Sequence, residues 1–436
     1  MSDEISVDMT DDGPKSTLYH PWQTSLERPS AAPLIENQKT DVLIVGAGIT
    51  GALLAEHLSA RGLSVVIVDE WKPGLTATAA STGMLQWELD IPLADLVRRH
   101  GFERAIGIYR RSAAAVTGLS KLISEKKIAC QLKSRKTLYL ASNHEGARDL
   151  LEEVKLRRRG GLPGVYLEHC DLFTQYELDR DAGILSAGSA EVNPVLLTAS
   201  LLKMAITDGA KCVAGRVVSL NSEPNRVTAE LAGSSNTIEA QHVVLATGHE
   251  MPGIAMPKLH RTVATYAIAT ESQAPGSLWR DEASIWDDSH PYLYVRPAPD
   301  GRLLVGGEDD LTIDAAERAS RLSAKADLLR EKLRLLWPKA NLERIGAWSG
   351  VYSDSKDGIP FIGPVSQMPN VYSACGYGGN GMSFSYLATL MIGAMISGVE
   401  RDWFADFALD RDEPPHADAY EFIAPQASNF AEMHAV

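Results

Sequence analysis

Gly46-x-Gly48-x-x-Gly51, set between the apolar run Asp41-Val-Leu-Ile-Val45 and apolar residues at helical spacing from Ile49 to Arg61, constrains this 436-residue chain more than any other feature. A short apolar run entering a glycine turn reads as a buried parallel strand. The helix after it stops at Gly62, ahead of a second such strand, Ser64-Val-Val-Ile-Val68. In a βαβ unit of this kind Gly46 permits the reversal, Gly48 lets backbone approach a pyrophosphate, and Gly51 lets the helix pack close to the sheet. Amides at the start of the helix, around Ile49 and Thr50, face the negative ligand with the helix dipole behind them. Asp69, about 20 residues beyond the turn, is placed to accept ribose hydroxyl protons, with Glu70 next to it. These residues specify a dinucleotide site and leave FAD and NAD open, since both use the same turn.

The length predicts about two domains. A net charge of -14, with no basic stripe to offset it, argues against a nucleic-acid partner. Cys130, Cys170, Cys212 and Cys375 are too scattered for a zinc site or a disulfide scaffold, so reduced thiols in a cytoplasm and no metal are expected. Met1 to Asp12 is acidic and lacks the pattern of a secretory signal. Leu387 to Ser397 falls short of the roughly 20 residues a membrane helix needs and reads as a buried helix.

Farther along, Thr137 to Leu140 predicts a strand, Glu145 to Arg159 a charged helix, Asn193-Pro194 a helix start, and His242 to Gly248 a buried strand. Tyr292 to Gly307 alternates around a Pro299-Asp300-Gly301 turn, as an antiparallel hairpin does. Strand types thus segregate along the sequence. The expected fold is α/β: a discontinuous Rossmann-type domain (residues 40–95, 185–250 and 345–405) and a substrate domain on a mainly antiparallel sheet with helices (96–184 and 251–344). A 1–39 arm and a 406–436 tail flank them.

Six segments in order resemble the D-amino-acid oxidase and sarcosine oxidase superfamily of FAD-dependent oxidoreductases, over roughly Thr40 to Asp410. They are Asp41 to Gly51, Thr78 to Met84, Glu191 to Pro194, Leu245 to Gly248, Asp357-Gly-Ile-Pro-Phe-Ile-Gly363 and Gly376-Tyr-Gly-Gly-Asn-Gly-Met382. Tyr294 with Arg296, and Gly306-Gly307, look most like the gamma-glutamylputrescine oxidase branch. The resemblance implies FAD, with Gly46, Gly48 and Gly51 at the pyrophosphate and Asp69 at the ribose. It further implies Val217 at adenine, Thr247 and Gly248 closing the turn there, and Ser81, Thr82, Gly83 and Met84 beside the isoalloxazine. Gly379, Asn380, Gly381 and Met382 would open the last helix toward the flavin.

The chain also departs from that pattern. Gly350 stands where sarcosine oxidases attach flavin through cysteine, and Thr78 to Leu85 lacks the flavin-attaching histidine of dimethylglycine dehydrogenases, so FAD is expected to be non-covalent. Tyr352 and Ser383 stand where relatives place substrate-anchoring arginine and lysine. Tyr292 to Glu308 contains no lysine to promote reaction with oxygen, so oxygen or another carrier is the electron acceptor. The expected activity is oxidation of a small-molecule amine or N-substituted amino acid by hydride transfer to flavin, giving an imine that hydrolyses. Tyr352 and Tyr294 would line the pocket and Arg296 would anchor the substrate; His260 is not read as a base. Alternatives are an FAD-dependent dehydrogenase of a hydroxy acid or polyol phosphate, or a flavin-binding subunit that needs a partner.

Overall fold

The computed structural model describes residues 21–22 and 29–412; the acidic leader and most of the 406–436 tail lie outside the described residues. Two nine-stranded sheets organise them. In the first, Gln38–Val45 pairs in parallel with Val65–Asp69 on one edge and Thr237–Leu245 on the other, and Lys211–Ala214 continues the parallel set. Side chains of these strands alternate between two cores. Val42, Ile44, Val65 and Ile67 pack under helices that include Ile49–Ser59, Pro194–Thr207 and Gly381–Ile396, while Leu43, Val45, Val66 and Val68 face the opposite core. Burial on both faces is why the strands are continuous apolar runs.

The second edge of Thr237–Leu245 is divided. Its first half pairs antiparallel with Arg226–Leu231, itself hairpinned to Val217–Glu223, and its second half pairs in parallel with Val371–Cys375. The second sheet runs Arg344–Ser355, His260–Thr270, Leu303–Asp310, Leu293–Pro297, Ser284–Asp287, Lys133–Leu140, Ala182–Glu191, Met84–Leu85, with Val165–Glu168 as a ninth strand paired to Ala182–Glu191. The amphipathic helix Ala315–Leu336 covers one of its faces through Leu322, Leu329 and Leu333, and the opposite face looks toward the first sheet's glycine turn.

Strand types segregate less strictly than the sequence suggests. The hairpin Val217–Leu231 makes the first sheet partly antiparallel, and Ser284–Asp287 pairs in parallel with Lys133–Leu140 in the second. Arg344–Ser355, assigned by sequence to the Rossmann-type segments, hydrogen-bonds along its length to His260–Thr270 in the second sheet. A short-range hydrophobic pattern marks a strand but not which sheet takes it. Among the described residues no helix is long and apolar enough to cross a membrane, no cluster of metal-ligand type occurs, and the four cysteines are free.

Candidate active site

The glycine turn is tight for reasons legible in its contacts. Gly46 has φ +108°, and a Cβ there would lie 2.4 Å from the Ala246 carbonyl oxygen. A Cβ on Gly51 would lie 1.9 Å from the Gly46 carbonyl oxygen, so the first helical turn crosses directly over the reversal. Asp69 braces this geometry: Oδ2 accepts from the Ala47 amide at 2.6 Å and Oδ1 from the Trp71 amide at 2.8 Å. Burial raises its pKa and those two bonds oppose the shift. The Ile49 amide already donates to the Thr78 hydroxyl at 3.1 Å, leaving the amides that follow it to a ligand.

From this turn one cavity of about 1310 Å³ runs to the open face of the second sheet. Asp69, Glu70, Val217, Thr247 and Gly248 wall its first end; Gly46, Gly48, Ile49, Thr50, Ser81 and Thr82 its middle; Met84, Tyr294, Tyr352 and Gly379 to Met382 its far end. A Cβ built on Gly248 or Gly381 meets no atom within 4 Å. The wall is therefore open there, and a long ligand with a pyrophosphate at the helix start fits the residues present. Thus Gly46, Gly48, Thr50, Asp69 and Gly381 could hold FAD.

Five predicted residues take other places or added tasks. Gly51 and Gly83 lie behind the cavity wall, and a Cβ on Gly83 would strike the Val192 carbonyl oxygen at 2.2 Å. The Gly379 amide donates to Asp90 Oδ2 at 2.5 Å, and Asn380 turns its side chain to the Glu88 carbonyl at 2.8 Å. Arg296 does not reach the cavity. Its guanidinium is fully buried, paired with Glu191 Oε2 at 2.8 Å and donating to the Thr82 carbonyl, so its position does not suit a substrate anchor. It belongs to a brace: the carbonyls of Ala80, Ser81 and Thr82 accept in turn from Trp348 at 2.9 Å, Trp22 at 2.6 Å and Arg296. Trp22, inside what reads as a featureless arm, is thus packed into the site's support. His260 lies 2.7 Å from the Ser353 hydroxyl, and burial lowers its pKa to about 4.

At the far end the structure assembles a group that pattern reading did not single out. Asp309 Oδ2 accepts from the Tyr352 hydroxyl at 2.6 Å and the Tyr292 hydroxyl at 3.0 Å, with the Tyr294 ring packed across Gly306. Asp354 holds Arg261 at 2.5 Å, and Asp90 faces the cavity close to both. Burial foremost raises all three carboxyls, Asp90 to about 7 and Asp309 to about 6. The period-2 partnership of Tyr292 with Tyr294 is a sequence signal. Asp309 gives none, because an extra residue in Leu303–Asp310 opposite Ala264 and Tyr266 shifts the alternation.

A dinucleotide turn on one sheet, opening by a single cavity onto a tyrosine-lined second sheet, defines a two-sheet flavoprotein class. A family profile described as FAD dependent oxidoreductase matches residues 41–394, and the chain belongs to that family. It is an FAD-dependent oxidoreductase. Glycine oxidase of Bacillus licheniformis is 26% identical over 391 residues, covering 87% of this chain and 99% of that protein. Gamma-glutamylputrescine oxidoreductase of Escherichia coli, the branch the sequence pattern pointed to, is 22% identical over 377 residues, covering 84% and 85%. The crystal structure of glycine oxidase from Geobacillus kaustophilus shares the fold with a TM-score of 0.72 at 23% identity, covering 86% of this chain and all of that one.

Proposed function

We propose that the protein oxidises an amine, or an N-substituted amino acid, at the carbon bearing nitrogen, and that the imine formed is hydrolysed by water. The observation that carries this reading is the charge of the far chamber. Asp90, Asp309 and Asp354 line it against Arg261, whose guanidinium is already held by Asp354. Such a wall attracts a cation, and Arg296, the anchor expected from the sequence, is committed to Glu191.

Bound FAD supplies the electron sink for a hydride leaving the substrate carbon. The chain's own contribution is placement. The turn at Gly46 and Gly48 would hold the pyrophosphate, Asp69 the ribose, Val217 and Gly248 the adenine end, and the braced segment Ser81 to Met84 would flank the ring system. The start of the helix Gly381–Ile396 would present its positive end to the flavin. Tyr292, Tyr294 and Tyr352 would orient the amine and displace water from the chamber, alignment being the main requirement of this chemistry.

Anaerobic bleaching of the yellow holoprotein tests the reading. Primary or secondary amines are expected to reduce the flavin; bleaching by hydroxy acids or polyol phosphates alone overturns it. Reoxidation in air then separates an oxidase from a dehydrogenase.

A further inference from the structure

We propose that Asp309 is the proton acceptor for the substrate's ammonium group, reached through the hydroxyl of Tyr352 or Tyr292. The inference rests on the amine reading above. Its support is geometric. The Asp309 carboxylate is only 3% exposed, but both hydroxyls bonded to Oδ2 belong to half-buried rings on the cavity wall. A proton from a ligand in the chamber can thus pass to Oδ2 through either tyrosine oxygen, all three residues sharing the same wall.

The backbone places this one carboxylate there. Gly306 faces the same side as Tyr294, its cross-strand partner, so unbroken alternation would turn residues 308 and 310 to the cavity. Gly307 at φ +137° and Glu308 at φ +57° form the bulge that inverts the order. Glu308 and Asp310 instead meet Lys332, Lys325 and Arg321 near the helix Ala315–Leu336. Asp309 alone of the three makes no ion pair among the described residues, and its Oδ1 is buried without a hydrogen bond, close to the Thr265 hydroxyl. A buried carboxylate without a cation is costly to ionise, and an arriving ammonium relieves that cost.

The groups around it suit proton transfer near neutrality. Thr265 and Arg261 approach from His260–Thr270, Tyr352 and Asp354 from Arg344–Ser355, Tyr292 and Tyr294 from the other neighbour, and Asp90 from across the chamber. Burial raises Asp309 to about 6, against the hydrogen bonds from Tyr352 and Tyr292 and the nearby Thr265 hydroxyl. Burial also holds both tyrosines far above their usual range, so neither keeps a phenolate and the proton passes on. In the step, an N–H bond of the ammonium breaks with its electron pair left on nitrogen, and a new O–H bond forms on the tyrosine. The tyrosine's own proton moves to Asp309 Oδ2. Amine and carboxyl end neutral, and nothing is oxidised or reduced.

Infrared difference spectra of the FAD-loaded protein with tert-butylamine test this, since that amine has no α hydrogen to lose. A protonated-carboxyl band is expected with tert-butylamine, absent with tetramethylammonium, which has no proton to give, and absent in Asp309→Asn. Flavin reduction at neutral pH by an oxidisable amine should slow about 100-fold or more in Asp309→Asn and recover as pH rises and the amine deprotonates in solution. The Tyr292→Phe/Tyr352→Phe pair, which keeps the rings and the carboxylate, should show the same loss and serves if Asp309→Asn fails to retain FAD. An unchanged band in Asp309→Asn, or no band in the parent protein while amines still reduce its flavin, overturns the proposal alone. Failure of every amine to reduce the flavin overturns the amine reading and this inference with it.

Discussion

The hydroxyls of Thr50 and Ser385 lie 2.8 Å apart, joining residues 335 positions distant in sequence. Ser385 donates to the Gly381 carbonyl at 2.6 Å, so its oxygen is left to accept the Thr50 proton. The bond ties the starts of Ile49–Ser59 and Gly381–Ile396 together at the cavity wall. Thr50→Val should cost about 1 kcal/mol of stability and weaken FAD retention several-fold. Flavin fluorescence during dilution of the holoprotein measures this, and retention equal to the parent's would show that the two helix starts are held by other contacts.

Two glycine substitutions should separate folding from cofactor binding. Gly51→Ala puts a methyl 1.9 Å from the Gly46 carbonyl oxygen and should destabilise the chain and abolish the flavin site together. Gly381 has helical φ and ψ and open space around it, so Gly381→Ala should melt like the parent. It should still bind FAD about tenfold or more weakly, by an overpacking cost of about 1–3 kcal/mol. Equal FAD affinity in Gly381→Ala would mean that no ligand occupies that part of the cavity.

Arg296 should behave as a brace. Its substitution by Met leaves Glu191 to Arg135 alone and frees the Thr82 carbonyl, for an expected loss of about 1–3 kcal/mol in chemical denaturation. A variant of unchanged stability with a raised KM for the substrate would restore the anchoring role.

Flavin should be released entirely into the supernatant on acid precipitation. The expected attachment site, Gly350, has no nucleophile, and burial pushes the Cys375 thiol on the cavity wall up to about 11, away from the reactive thiolate. Yellow colour in the pellet would demonstrate a covalent bond.

Asp90 should make stability fall with rising pH. Burial, helped by Asp354 and Asp309 and opposed by the Gly379 amide and Arg261, raises its carboxyl to about 7. A raised folded-state pKa favours the folded form at low pH, and that contribution is lost as pH climbs from the ordinary carboxylate range through about 7. Asp90→Asn should therefore gain in melting temperature relative to the parent between about pH 5 and about pH 8. A constant difference between the two proteins across that window would refute the titration.

Local chemistry was legible where residues near in sequence are near in space. The strand Gln38–Val45, the turn, the helix Ile49–Ser59, the strand Val65–Asp69 and the hairpin around Gly301 all rest on contacts within about one supersecondary unit. The roles of Trp22 and Arg296 are not legible locally because the carbonyls they meet, Ser81 and Thr82, lie 59 and 214 positions away, and nothing in the flanking residues announces a partner at that distance.

A dinucleotide turn with an acid behind it follows from the local residues alone, since glycine spacing and strand periodicity act through backbone sterics that need no distant partner. What lines the far end of the cavity depends instead on long-range pairing. One extra residue between Gly306 and Asp310 turns Asp309 toward Tyr352 and Tyr292 and sends Glu308 and Asp310 toward Lys332, Lys325 and Arg321. Side chains alternate with a period of two, so a single added residue exchanges the faces, and its place is set by pairing with strands far away in the chain.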